Sequence, residues 1–239
     1  MIKLAISGCQ GRMGLRISHL AQEDKNFKIV ALLEQPNHPA ISGQVDKVKI
    51  TSDPDSIKGA DVLIEFTSPE ATLTHIAACQ KHKVKMVIGT TGLLDEQVNA
   101  IHKAANKIPI VFSSNMSVGV NILFKLAREV AQKTNGAYIA RIIEAHHHHK
   151  KDKPSGTAKS IANIIEKASL RKVSDIQSIR EGEIIGDHQV IFESSVDIIT
   201  IGHQAKTRDI FAKGALVAAK FITTKKKGLF DMQDVLSLK

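Results

Sequence analysis

Two rhythms of apolar and polar positions alternate along the first half of the chain. Short apolar runs predict strands at 2–7, 28–33, 61–66, 85–88 and 109–112. Between them Met13, Ile17, Leu20 and Ala21 recur at helical spacing, as do Leu73, Ile76 and Ala77, and then Val98, Ile101 and Ala105. Strands joined by crossover helices predict a parallel sheet with helices on both faces. Ser68-Pro69-Glu70 marks the start of the second helix, with a hydroxyl cap, a proline in the first helical position and an acid suited to the helix dipole.

Beyond Ser117 the pattern changes. A long helix over 118–133, a strand over 138–144, a polar loop and a helix over 156–168 open a second layer. The segments 175–180, 189–194 and 196–201 then read as consecutive strands separated by short turns, which predicts a mostly antiparallel sheet. The segment 210–219 is helical and rich in small residues, so it is expected to pack closely against another element. The predicted division is an α/β domain over 1–117, to which 208–239 returns, and an α+β domain over 118–207.

Composition narrows the class. A chain of 239 residues, 43% hydrophobic, can bury real cores without disulfides. Its two cysteines, Cys9 and Cys79, have no metal-ligand spacing and suit a reducing compartment. No apolar run reaches the ~18 residues of a membrane span and the first residues do not form a signal peptide, so a soluble cytoplasmic protein is expected. The formal charge of +9 favours anionic ligands. With 4% aromatic residues, no Trp and no recognisable nucleic-acid module, DNA or RNA is not the expected partner.

The first strand runs into Gly8-Cys9-Gln10-Gly11-Arg12-Met13-Gly14, which opens the first helix. Glycines there let backbone N–H groups approach a pyrophosphate at the positive end of that helix. The spacing G-x-x-G-x-x-G is weak alone, but Glu34 ends the second strand 20 residues beyond Gly14, where an acid accepts hydrogen bonds from the adenosine ribose. A Rossmann-like domain is therefore expected. Glu34 favours NADH, because a 2′-phosphate would meet a carboxylate; Arg12 either neutralises such a phosphate or is an ordinary solvated charge. Gly89-Thr90-Thr91-Gly92 and Ser113-Ser114-Asn115-Met116 end two further strands at the edge where open sheets bind ligands.

The run from Glu144 to Ala158 contains His146, His147, His148, His149 and Lys150, followed by Pro154-Ser155-Gly156-Thr157 at the head of a helix. Consecutive histidines on an extended chain point to alternating sides, so few are expected to converge on a metal, and none is expected. The helix start and its two hydroxyls suit a carboxylate, while the histidines and Lys150 can exchange protons and supply positive charge.

This run resembles the signature E-x-H-H-x-x-K-x-D-x-P-S-G-T-A of the dihydrodipicolinate reductases. Gly8 to Gly14, Gly89 to Gly92, Asn115 to Asn121 and Gly228 to Met232 follow in the order seen in that family, so the resemblance spans nearly the whole chain. It implies an NAD(P)H-dependent reductase of a cyclic dicarboxylate in lysine and diaminopimelate biosynthesis, typically a homotetramer built through the substrate-domain sheet. It also implies that His146 is the acid–base residue and Lys150 the proton donor, with His147, Ser155, Gly156 and Thr157 holding substrate. The cofactor would lie along Gly8, Cys9, Gln10, Gly11, Arg12, Met13, Glu34, Gly89, Thr90, Thr91, Ser113, Ser114, Asn115 and Met116. Two departures stand out: Gln35 replaces an arginine found in many members, and the segment 180–188 is shortened. Another nicotinamide-dependent dehydrogenase of a small amino or keto acid would keep the cofactor loop without needing the anion loop. A dinucleotide-sensing regulator would bind NADH without consuming it.

Overall fold

The computed structural model describes residues 1–239, which form two compact units: Met1–Ser117 with Phe211–Ser237, and Val118–Ile210 with Leu238–Lys239. In chain order the strands are β1 (Ile2–Ser7), β2 (Phe27–Leu33), β3 (Gln44–Val45), β4 (Val48–Thr51), β5 (Val62–Glu65), β6 (Lys85–Ile88), β7 (Pro109–Phe112), β8 (Ile139–His146), β9 (Asp175–Arg180), β10 (Asp187–Glu193), β11 (Ile198–Gln204) and β12 (Gly228–Phe230). The helices are α1 (Arg12–Glu23), α2 (Pro69–His82), α3 (Asp95–Ala105), α4 (Val118–Thr134), α5 (Gly156–Ser169), α6 (Asp209–Ile222) and α7 (Met232–Val235).

The first unit carries an eight-stranded sheet in the order β12-β7-β6-β5-β1-β2-β4-β3. Every pairing is parallel except that of β3 with β4. Because successive side chains of a strand point to opposite faces, both faces can be buried. Leu4 and Ile6 of β1 join a core with Ile17 of α1 and Ala215 and Ala219 of α6. Ala5 joins a second core with Ile76 of α2 and Ile101 of α3. Ser68 caps α2 by accepting from the Ala71 N–H at 3.3 Å, with Pro69 next in line.

The second unit is a four-stranded sheet in the order β11-β10-β8-β9. β10 runs antiparallel to both its neighbours, whereas β9 is parallel to β8. That exception to a purely hairpin-connected sheet follows from α5, which carries the chain back so that β9 starts at the same end as β8. Ala140 and Ile142 of β8 and Val190 and Phe192 of β10 pack on Leu123 and Ala127 of α4 and Ile161 and Ile165 of α5. The opposite face carries Ile139 and Ile198, each 59% exposed. The expected strand at 196–201 begins at Ile198 instead. Ser194 Oγ donates to Asp197 Oδ1 at 2.6 Å in a tight turn, which holds Val196 outside the ladder and pairs Glu193 with Ile198.

Candidate active site

In the first unit the glycine loop performs the local task expected of it. Gly8 has φ +66°, and a Cβ placed on it would lie 2.9 Å from Thr67 Cγ2. A Cβ on Gly14 would fall 2.0 Å from the Gly8 carbonyl oxygen, so the loop folds back onto α1 only with glycine there. No side chain caps α1, and no acid occupies its first turn. Its positive end is therefore left for an external anion. Glu34 is fixed across the loop, accepting from the Gln10 N–H at 3.0 Å and the Gln35 N–H at 2.9 Å. A carboxylate has further lone-pair sites, so ribose hydroxyls can still donate to it.

A cavity of about 500 Å³ opens beside this loop, lined among others by Ser7, Gly8, Gly11, Glu34, Thr67 and His75. Arg12 begins α1 with its side chain exposed, and Met13 is half-buried behind it. Gly89, Thr90, Thr91, Ser113, Ser114, Asn115 and Met116 follow the ends of β6 and β7, as the pattern predicts. Their side chains divide sharply. Thr91 and Ser114 are exposed, while Thr90 is buried with its hydroxyl accepting from the Thr72 hydroxyl at 3.1 Å and the Thr67 N–H at 3.3 Å. Met116 and Cys9 are core residues, and burial pushes the Cys9 thiol up to about 11. Any ligand contact from Thr90, Met116 or Cys9 is therefore through backbone.

The sequence reading missed a buried acid in this unit. Glu65 ends β5 fully buried, and its carboxylate is held by His75 Nδ1 at 2.5 Å and by the Thr67 hydroxyl. Ser7 Oγ approaches the same His75 Nδ1 at 3.1 Å. Because serine and glutamate meet one ring nitrogen, the three cannot relay a proton through the imidazole, and the cluster is not a nucleophilic triad. An acid after three apolar residues at the carboxyl end of a parallel strand is the signal that could have found it.

In the second unit, β8 ends at His146, so its pleat turns Glu144 and His146 to the same face. Glu144 is fully buried, and its partners include His146 Nδ1, the Arg180 guanidinium in two bonds of 3.0 and 2.9 Å, and the Ser155 N–H at 3.3 Å. Burial alone raises the Glu144 pKa, but hydrogen bonds from Arg180, Ser178 and His146 outweigh it and hold the carboxyl below its ordinary range. His146 moves the other way from most carboxylate-paired histidines. Burial lowers its pKa more than Glu144 restores it. With Nδ1 on Glu144, Nε2 is the ring atom left for chemistry, and a Cβ on Gly186 would stand 3.1 Å from it.

Lys150 Nζ lies 2.8 Å from Asp152 Oδ1, and its backbone carbonyl accepts from Arg180 Nε at 3.2 Å. One arginine thus orients the acid behind His146 and anchors the loop carrying Lys150. Ser155 caps α5 by accepting from the Ala158 N–H at 3.1 Å, and around Gly156 a Cβ would meet open space. Thr157 follows in the first turn. His147 has a buried Nδ1 with no protein partner, a group that a polar ligand would satisfy. The structure thus gathers His146, Lys150, Ser155, Gly156 and Thr157 around one strand end and one helix start.

Sequence reasoning did not find Arg180 or His188. His188 is buried, sits edge-on to His146 with ring centroids 5.1 Å apart, and contacts Ser155 Oγ through Nε2 at 3.3 Å. Burial, and then the neighbouring His146, push its pKa down to about 4. The expectation that the consecutive histidines would alternate holds only as far as His146. The chain leaves the strand there and turns, bringing the rings of His148 and His149 to 3.8 Å.

Models of the dihydrodipicolinate reductase N-terminus and C-terminus match residues 2–116 and 119–236. Relatives named 4-hydroxy-tetrahydrodipicolinate reductase are 42% identical in Nitrosomonas eutropha, with all of this chain and 99% of the relative covered, and 39% identical in Burkholderia multivorans, with both fully covered. The Nitrosomonas alignment extends over 266 positions against 239 residues here, so this chain lacks 27 positions that the relative fills. A solved structure, dipicolinate-bound dihydrodipicolinate reductase from Paenisporosarcina sp. TG-14, shares the fold with a TM-score of 0.84 at 24% identity, covering 98% of each chain. A probable dehydrogenase from Thermotoga maritima has a TM-score of 0.66 at 12% identity, covering 99% of this chain and 93% of its own. Matched by both family models and by full-length relatives, the chain belongs to the dihydrodipicolinate reductase family.

Proposed function

We propose that this protein is an NAD(P)H-dependent 4-hydroxy-tetrahydrodipicolinate reductase, which reduces dihydrodipicolinate, formed from 4-hydroxy-tetrahydrodipicolinate, to tetrahydrodipicolinate in lysine and diaminopimelate biosynthesis. The observation that carries the reading is the Glu144–His146 pair, fixed by Arg180 beside the head of α5. A dianionic ring needs cationic and N–H donors together with a group that exchanges protons, and this corner offers both.

The glycine loop, the uncapped start of α1 and the fixed Glu34 fit a dinucleotide in the first unit. When bound, the cofactor supplies hydride. NADH is expected to serve at least as well as NADPH, because Glu34 disfavours a 2′-phosphate and Gln35 supplies no compensating charge. Ser155, Gly156 and Thr157 would hold one substrate carboxylate at the positive end of α5, with His147 adding a polar contact. His146 holds or accepts a proton at Nε2, and Lys150 delivers one from Nζ to the carbon left electron-rich after reduction. Glu144 keeps the His146 ring in register and favours its cation, while burial opposes that cation, so the proton is held loosely enough to be passed on. The reading extends to a cytoplasmic homotetramer assembled through the open face of the second unit's sheet, where Ile139 and Ile198 are exposed.

The test couples the protein to dihydrodipicolinate synthase and follows loss of NADH and of NADPH in separate reactions. Substrate-dependent oxidation is expected with both cofactors. Binding of NADH without its consumption would instead identify a dinucleotide sensor.

A further inference from the structure

The reductase reading uses only part of the histidine run. His148 and His149 are exposed, and neither has a task in the chemistry above. They nevertheless sit in an ordered place. Only residues 181–186 connect β9 to β10, and three hydrogen bonds tie that connection to the histidine loop. The Glu181 N–H donates to the His146 carbonyl at 2.9 Å, the His148 N–H to the Gly182 carbonyl at 3.3 Å, and His148 Nδ1 reaches the same carbonyl at 2.9 Å. Glu183 is thereby held opposite the histidines, with its Oε1 3.8 Å from His149 Nε2.

We infer that His148, His149 and Glu183 form a binding site for a divalent transition-metal ion such as Zn²⁺, and that its occupation slows turnover by clamping the loop that carries His146 and Lys150. The ligand atoms of the three residues all lie within 4.8 Å of one another. Bonds of ~2.0 Å to a tetrahedral ion place ligand atoms roughly 3.3 Å apart, so small rotations of exposed side chains complete the set. The contact of His148 Nδ1 with a carbonyl assigns its proton to that nitrogen and leaves Nε2 as the ring atom that carries the lone pair, the arrangement in which metal-bound imidazoles are usually held. Two imidazoles and one carboxylate select Zn²⁺, Ni²⁺ or Co²⁺ over Mg²⁺ and Ca²⁺, and water can fill the fourth position.

A second grouping, Glu144, His146 and His188, has similar spacing but the wrong chemistry. Both oxygens of Glu144 face the Arg180 guanidinium, which would repel an added dication. Neither cysteine competes, since both are buried and protonated at neutral pH.

The clamping step rests on the proposed reductase activity, whereas the site itself does not, so the experiment reads both. Calorimetric titration of the tag-free full chain with Zn²⁺ should show one saturable site in the micromolar range and none for Mg²⁺. His148→Ala and Glu183→Gln should each weaken it at least about tenfold. In turnover assays Zn²⁺ should lower kcat of the parent but not of these variants, whose metal-free kcat should equal the parent's. Absence of saturable Zn²⁺ binding, or equal affinity in both variants, would overturn the site. Binding lost in the variants with parental turnover indifferent to Zn²⁺ would overturn the clamp. A chain without reductase activity that still binds Zn²⁺ through these residues would refute the function and leave the site standing.

Discussion

His188 offers the sharpest measurement of how the acid–base corner is built. It is 5% exposed, its Nδ1 has no protein partner, and its pKa is pushed down from 6.5 to about 4. Burial dominates, the charges of His146, His203 and Lys150 add to it, and Glu144 opposes them. The unfolded chain protonates this histidine near pH 6.5 while the folded chain does not. Folding stability contributed by the neutral ring is therefore fully present above about pH 6.5 and is lost as the pH falls towards 4. A drop of that size corresponds to about 3 kcal/mol at most. Gln in place of His188 keeps a donor near the Nε2 position and cannot take up a proton. The parent should thus lose up to about 3 kcal/mol more than His188→Gln between pH 7 and pH 4, measured by urea unfolding followed by circular dichroism. NMR of the His188 ring proton should show a midpoint near 4. A midpoint near the ordinary histidine value, or a parent–variant difference that does not change with pH, would refute the argument.

Removing the guanidinium with Arg180→Met strands a fully buried Glu144, so unfolding should become easier by about 3–5 kcal/mol, with Arg180→Lys less damaging; equal stability of all three proteins would contradict the pairing. His146→Gln and Lys150→Met should each lower kcat by about 10²–10⁴-fold with NADH affinity near that of the parent, whereas metal-free His148→Ala should match the parent; full kcat in the first two would displace the assigned proton transfer. Glu34→Gln should shift the ratio of NADPH to NADH affinity towards NADPH in equilibrium titrations, and an unchanged ratio would remove Glu34 from the ribose site.

Much of this architecture can be read directly along the chain because local signals and tertiary needs agree. The apolar runs at 62–64 and 86–88 are buried on both faces, so they are continuous rather than alternating, and Ser68-Pro69 caps the helix between them. The mixed order of the second sheet is less legible. β9 reads like another hairpin strand, and only the 14-residue α5 before it lets the chain return for a parallel pairing. Long-range partnerships are the hardest to see. Arg180 stands 36 residues from Glu144 and His188 33 from Ser155, in segments without motif spacing, and burial of Glu65 shows only as a lone acid in an apolar run.

The sorting of the histidine run shows how backbone geometry assigns chemistry within one short stretch. While the chain is strand, the pleat decides: Glu144 and His146 share a face, and registry with β9 brings Arg180 opposite His146, close enough for its guanidinium to reach Glu144. Past His146 the alternation no longer applies. His147 turns a ring nitrogen into the protein, while His148 and His149 are carried outward together on the turn that Gly182 receives. Four identical residues thus occupy three environments. The desolvated, carboxylate-backed His146 is suited to proton transfer, His147 to a polar ligand, and the exposed pair to a metal or to solvent. A sequence pattern that weighs the four alike cannot make that division; the position where β8 stops makes it.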